Sequence, residues 1–482
     1  MNIKIGKCSY GVLFASIVLS SMLSCSNKAE DENSNNPSDI VKTDVVFWLT
    51  NSDQSVLFQK QNISLLFETK TNQFPTINID TTQVYQTIDG FGFCLTGGSA
   101  NVINHLPLAE RDALIEELFS TDSTFIGISY IRVSIGASDL SSSVFSYDDM
   151  YNGQTDLALN NFSLEKDKTD LIPVLKQALL HNPDLKILGS PWSPPAWMKT
   201  NNSSVGGSLK PEYYDVYARY LVKYIQSMED EGIHIDAITP QNEPLNPNNN
   251  PSLSMSSAEQ ANFIKNNLGP AFLSANLTTK IIVYDHNCDH PEYPIYILND
   301  ANASQYIDGS AFHLYAGDIS ALSQVHDAFP SKSVYFTEQW VGGGSDFKGN
   351  LQWHVKNLII GAISNWSKNV IEWNLASDPN YQPHTNGGCS TCEGALTIGA
   401  TIKRNVSYYI IAHASKFVPA GSVRISTDIP TKLPNVAFKT PAGKKVLIVL
   451  NENADYQAFN IKFNGQEVTV TIKNGSVATF IW

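Results

Sequence analysis

A chain of 482 residues, 42% hydrophobic and 16% charged, can bury a large core, and its length points to one domain of about 250–300 residues with something smaller attached. The formal net charge of −14 argues against nucleic acid or an anionic membrane surface as a partner. With 22 Phe, 20 Tyr and 8 Trp, the composition favours a neutral ligand that offers flat faces.

Taken in chain order, the first feature is a targeting segment. Lys4 and Lys7 precede an apolar stretch, YGVLFASIVL, that is too short to span a bilayer. It ends in MLSC, and the residues after Cys25 (SNKAEDENSNNPSD) are too polar to bury a core. Residues 1–25 therefore read as a lipoprotein-type signal ending at lipidated Cys25, with an ordinary signal peptide as the alternative. The expectation is an exported protein, lipid-anchored to a bacterial cell envelope and touching membrane only through that anchor, with residues 26–43 as a flexible tether.

From Asp44 the pattern turns to strands: DVVFWLT, SVLFQK and TINID over residues 44–84. Strand patterns return over residues 417–482 as SVRIST, NVAFKT, KVLIVLNE, AFNIKF, EVTVTI and VATFIW, separated by turn signals such as PAGK, FNGQ and KNGS. Two β-rich ends flanking a different middle predict a β-sandwich built from both termini.

Residues 85–416 alternate. Short buried strands (IDGFGF, SYIRVSI, LKILGS, IDAITP, KIIVYD, DGSAFHLY, SVYFTE and VIEWNLA) are followed by amphipathic helical stretches such as LAERDALIEELFS and DLIPVLKQALLH. Eight such units predict an α/β fold, a (β/α)8 TIM barrel carrying the sandwich.

Cysteine usage adds little chemistry. Cys389-Ser-Thr-Cys392 has the spacing of half a zinc site, but no second CxxC completes it, and a local disulfide is the better reading in an oxidising compartment. Cys94 and Cys288 read as packed free thiols. No metal and no cofactor is called for.

Barrel active sites are built at the C-terminal ends of the strands. Those ends carry Arg132 and Asp139, Trp192, Asn242 and Glu243, Asp285 and His286, His313 and Tyr315, Glu338, and Trp373 and Asn374. Glu243 sits in ITPQNEP, a polar turn held between two prolines, and Glu338 closes SVYFTE. Two carboxyls facing one cavity suit glycoside hydrolysis: one protonates the leaving oxygen and the other attacks the anomeric carbon. The motifs of serine hydrolases, zincins and P-loop proteins (GxSxG, HExxH and GxxxxGK[ST]) are missing from the sequence.

ITPQNEP followed by YFTEQW resembles the large clan of retaining glycosidases whose acid/base follows an asparagine on strand 4. QTIDGFGFCLTGGSA, SYIRVSIGASDLS, GSPWSPPAWMKTN, FHLY, EWNLA and YYIIAHASKFVPAGSVRI resemble glycoside hydrolase family 30, the family of lysosomal glucosylceramidase, and the likeness spans residues 80–482. The resemblance implies that Glu243 is the acid/base and Glu338 the nucleophile. It implies a sugar subsite lined by Asp139, Trp192, Asn242 and Trp373, with Arg132, His313 and Tyr315 around the carboxylates. Glu243 is expected to start protonated, its pKa raised by burial and by Glu338, while Arg132 keeps Glu338 ionised.

The sequence departs from the family in two places. Gly97 stands where an acidic residue is frequent, a local packing variant. The segment PHTNGGCSTCEGALTI after strand 8 differs more, and leaves His384, Asn386 and Glu393 as candidates for a further sugar contact. The pairing of Asp139 with Trp192 resembles glucose recognition. The expected activity is therefore retaining hydrolysis of β-glucosidic bonds in β-1,6-glucan or glucosylceramide-like glucosides. The alternatives are another β-glycosidase (β-xylosidase, β-fucosidase or β-galactanase) or a non-catalytic glycan-binding lipoprotein. Changing Cys25→Ser tests the anchor: the protein should move from the membrane to the soluble fraction of fractionated cells, and persistence in the membrane would refute lipidation at that residue.

Overall fold

A computed structural model describes residues 42–151 and 153–482; the signal segment, Cys25 and nearly all of the tether lie outside them. Eight parallel strands close into a barrel in chain order: Gly90–Cys94, Tyr130–Ser134, Lys186–Ser190, Ala237–Ile238, Lys280–Cys288, Ile307–Gly317, Ser333–Glu338 and Ser367–Asn374. Their residues are almost all buried, as expected where helices cover one face and the barrel interior the other. These are the eight strands read from the sequence.

The helices follow from periodicity and caps. Tyr214–Asp230 buries Tyr214, Tyr217, Leu221, Tyr224, Ile225 and Met228, residues at three- and four-residue spacing. It stops at Gly232, whose φ of +79° lets the Gly232 and Ile233 amides reach back to Glu229 and Met228 at 2.8 and 2.9 Å. The fourth strand is the shortest because Pro240 has no N–H to donate to a ladder.

The sandwich is one curled sheet of nine strands, in the order 59–60, 46–50, 477–481, 445–450, 435–439, 423–427, 76–87, 457–463 and 466–472. Its first long strand pairs antiparallel with its last, Val46 opposite Ile481, so both ends of the described chain meet there. The strand Thr76–Thr87 runs past residue 84, and its last residue pairs with Val423. Phe47, Ile77, Phe459, Ile461 and Phe480 fill the space between the layers.

His413 ties the two parts together. On the last barrel helix (Val406–Ser415), its ring lies 2.9 Å from Thr479 Oγ1 and 2.8 Å from Thr50 Oγ1, both on sandwich strands. Burial drives its pKa down to about 3. An unfolded histidine titrates near ~6.5 and binds a proton that the folded one refuses, so stability falls as pH drops from that value toward 3. His413→Phe should cost about 1–3 kcal/mol by removing the ring's hydrogen bonds to Thr479 and Thr50, which keep only their backbone partners, the His413 carbonyl and the Phe58 amide. It should also flatten the acid side of a plot of unfolding free energy against pH. An unchanged slope in chemical denaturation would contradict this assignment.

Candidate active site

After Pro240 the chain turns sharply at the barrel mouth, and Glu243 adopts a φ of +45°, a backbone state that β-carbon residues seldom occupy. Its amide donates to the Asp285 carbonyl at 2.9 Å, which holds the strained turn against strand 5. Glu338 ends strand 7 without such strain. An oxygen of Glu243 and an oxygen of Glu338 lie within 4.8 Å of one another, and both side chains are buried.

Beneath the two glutamates lies a dense charge network centred on Arg132 and Asp285, both fully buried. Arg132 Nη1 donates to Glu338 Oε2 at 2.6 Å, and Nη2 donates to Asn242 Oδ1 at 2.6 Å and Asp285 Oδ2 at 2.8 Å. The Asp285 carboxylate also accepts from Ser190 (2.6 Å), Thr239 (2.7 Å) and Thr337 (2.7 Å). His313 stands between the carboxylates, with Nε2 3.1 Å from Asp285 Oδ1 and Nδ1 3.4 Å from Glu243 Oε1. From above, Tyr315 donates to Glu338 Oε1 at 2.9 Å, and Asn246 donates to Glu243 Oε2 at 2.8 Å.

Burial would raise the Asp285 carboxyl, but Arg132 and His313 overcome it and hold Asp285 well below the usual range. Burial opposes charge on His313, yet Glu338, Asp285 and Glu243 together lift it to about 9. Glu338 is raised, by burial first and by Glu243, against the pull of His313 and Arg132. Glu243 is also buried, but the hydrogen bond and charge of His313 bring it down to about 2. The expectation that the Glu243 pKa is raised is thus corrected: His313 holds the Glu243 carboxyl low while the surrounding carboxylates hold His313 high, which favours the proton on His313 over Glu243. Both arrangements carry the same total charge, so the two residues titrate as one unit holding one proton.

A cavity of about 530 Å³ opens over the glutamates. Of the residues expected to line it, Glu243, Glu338, Asp139, Trp192, Tyr315 and Trp373 do so. Trp192 and Trp373 pack with ring centroids 5.4 Å apart, and Arg132 lies 4.8 Å from the Trp192 ring centre. Arg132, His313 and Asn242, expected among the substrate contacts, are not in the cavity wall. The charges of Arg132 and His313 are spent on the carboxylates beneath it, and Asn242 Oδ1 on Arg132. His384, Asn386 and Glu393 do not line it either; the disulfide Cys389–Cys392 takes that place. Sequence reasoning passed over Trp340, Asn246 and Asn249 and gave His286, at a strand end, no role at the sugar; all four line the cavity. Trp340 directly follows Glu338-Gln339, and Asn246 and Asn249 follow ITPQNEP, so proximity to each glutamate was the available signal. A β-carbon on Gly97 would stand 3.0 Å from Ser141 Oγ, a tight contact that a side chain there could make only if Ser141 gave way slightly.

Glu243, His313 and Glu338 could each offer one donor atom to a metal ion, but all three are already committed to one another and to Arg132, Asp285 and Tyr315. The two carboxyls are close together but differently held, one in contact with an arginine and a tyrosine and the other with a histidine.

The family models decide which chemistry this is: the glycosyl hydrolase family 30 TIM-barrel domain matches residues 88–418, and that family's β-sandwich domain matches residues 421–480. The chain belongs to glycosyl hydrolase family 30. It is a glycoside hydrolase. Among family relatives, it is 40% identical over 354 residues to an endo-1,6-β-D-glucanase of Neurospora crassa, covering 71% of this chain and 72% of that protein. It is 30% identical over 432 residues to the mouse lysosomal acid glucosylceramidase, covering 83% and 81%. A solved endo-β1,6-glucanase superposes with a TM-score of 0.86 at 36% identity, over 92% of this chain and 99% of that one.

Proposed function

We propose that this hydrolase cleaves β-glucosidic bonds with retention of configuration, with β-1,6-linked glucan as its favoured substrate and glucosylceramide-like or small β-glucosides next, acting at the envelope through a lipidated Cys25. The observation that carries the mechanism is the approach of the two carboxyls to within 4.8 Å. Retaining enzymes hold them about 5–5.5 Å apart, while inverting enzymes need about 6.5–9.5 Å to admit a water. The glucan preference is supported by the likeness to two endo-β-1,6-glucanases.

In the first step the Glu338 carboxylate attacks the anomeric carbon. Arg132 and Tyr315 hold it in place and keep it ionised. Glu243 takes the shared proton from His313 across 3.4 Å and passes it to the glycosidic oxygen, so that the leaving group departs as an alcohol and Glu243 is left as a carboxylate. In the second step Glu243 takes a proton from water, whose oxygen attacks the anomeric carbon and frees Glu338. Asn242 keeps its amide Nδ2 for the sugar, because only its Oδ1 is taken by Arg132. A bond from that amide to the 2-hydroxyl would strengthen as charge develops on the ring. Trp192 and Trp373 offer flat apolar faces to the C–H side of the sugar.

Purified protein should release glucose or short oligomers from β-1,6-glucan oligomers and from an aryl β-glucoside, and Glu338→Gln should release none. No turnover of any glucoside by a folded wild type would overturn the glucosyl reading and move attention to xylosides, fucosides and galactosides.

The dependence of kcat/KM on pH should be bell-shaped. Its acid limb follows ionisation of Glu338, above the ordinary glutamate value, and its basic limb follows loss of the shared His313–Glu243 proton, near 9. His313→Gln should move the basic limb toward acid and lower kcat/KM by about 100-fold. A profile whose basic limb does not move would remove His313 from the proton path.

A further inference from the structure

One loop reaches the segments behind three of the carboxylates that line the cavity, Asp139, Glu243 and Glu338. Thr385 donates to the Asp139 carbonyl from its amide at 2.8 Å and from its hydroxyl at 3.2 Å. The same hydroxyl lies 2.6 Å from the carbonyl of Asn250, on the segment that follows Glu243, and Asn250 Nδ2 donates to the Asn386 carbonyl at 2.9 Å. On the far side, Cys392 and Glu393 pair antiparallel with Gly342 and Val341, just after Glu338, and the Gly343 amide donates to the Thr391 carbonyl at 2.7 Å.

Asp139 itself depends on this loop. Among the described residues, the one hydrogen bond that its carboxylate accepts from another residue comes from the Cys389 amide, at 3.3 Å. Gly387 and Gly388 come immediately before that amide, and Gly387 has a φ of +82°. A β-carbon on Gly388 would stand 2.3 Å from the Asp139 carbonyl oxygen, so the chain passes directly against Asp139 and only glycine fits. Two glycines leave the neighbouring amide poorly fixed by local chain stiffness. The disulfide Cys389–Cys392 fixes it covalently, with its sulfur-bearing residues in the cavity wall.

We propose that the Cys389–Cys392 disulfide is a positioning element for catalysis: it freezes the loop whose amide aims the Asp139 carboxylate at the sugar. The inference rests on Asp139 being a sugar-binding group of the proposed glucosidase. A cross-link over so few residues constrains the unfolded chain little, since that contribution grows with the logarithm of loop length. Its effect should therefore appear in the site and not in global stability.

The experiment compares oxidised protein with protein reduced by a water-soluble phosphine. The phosphorus takes up the oxygen of one water, and the two hydrogens go to the two sulfurs; thiol counting after denaturation reports the reaction. With an aryl β-glucoside, reduction should lower kcat/KM by about 10-fold or more, as expected for a misplaced charged hydrogen-bonding group. Activity should return on reoxidation, and the melting temperature should barely move. Asp139→Asn should be slow in both states, with no further loss on reduction, because both changes act through one group. Gly388→Ala should reproduce the loss with the disulfide intact.

Full kcat/KM in the reduced protein, or losses from reduction and Asp139→Asn that multiply independently, would overturn the proposal. A loss that tracks a large fall in melting temperature would do the same. A crystal structure of C389S/C392S reads the geometry without any substrate: the Asp139 carboxylate should leave the amide at position 389, and its staying there would refute the idea. Inactivity of the oxidised wild type on every glucoside would instead count against the glucosidase reading, and that structure would still decide the disulfide's role.

Discussion

Everything at the mouth of this barrel depends on a buried ion pair, Arg132 with Asp285. Burying two charges costs several kcal/mol per ion, a cost offset only by close partners; Arg132 Nε has none here, and the terminal nitrogens carry the pairing. Here the Asp285 carboxylate gathers Arg132, His313, Ser190, Thr239 and Thr337, and Arg132 spends its two terminal nitrogens on Glu338, Asn242 and Asp285. Those partners come from strands 2, 3, 5, 6 and 7 and from the end and turn of strand 4. Closing the barrel in register assembles the pair, and the pair then fixes the barrel's upper end.

The same pair settles how charge is distributed above it. With Arg132 and His313 positive and Asp285, Glu243 and Glu338 negative, the cluster carries one net negative charge in a largely buried space. Such a cluster holds protons tightly, which is why His313 rises to about 9. Glu338 is held between Arg132 and Tyr315, and Glu243 between His313 and the asparagines beyond it. Two chemically identical side chains thereby acquire different neighbours, and different neighbours give them different tasks.

Much of this was legible in the sequence. The barrel strands show as short apolar runs that end in polar or aromatic residues, and the rule that barrel chemistry sits at strand ends picks out Glu243 and Glu338. The prolines around Glu243 announce a constrained turn, and the structure places that residue at positive φ. What stayed hidden depends on contacts between distant segments. Asp285 stands among the strand-end residues, but its position as hub needs five partners from other strands. Arg132 and His313 read as charges around the carboxylates, as the structure has them, but which carboxylate each one meets follows only from packing. The loop after strand 8 offered three polar candidates, while the pairing of Cys392 with Gly342 puts the disulfide in the wall. The proton on His313 follows from total charge in a small volume, which no residue-by-residue reading supplies.

The central claim is that Glu338 forms a covalent glycosyl ester on the face opposite the leaving group, and that water then opens it from the face the leaving group vacated. Proton NMR of the reducing end released in the first minutes from a β-1,6-glucan oligomer tests it most directly. The account predicts β-anomeric product first, with the α-anomer growing only as fast as spontaneous mutarotation. α-Anomer appearing first would mean a single inverting displacement, and would contradict the roles assigned to both glutamates.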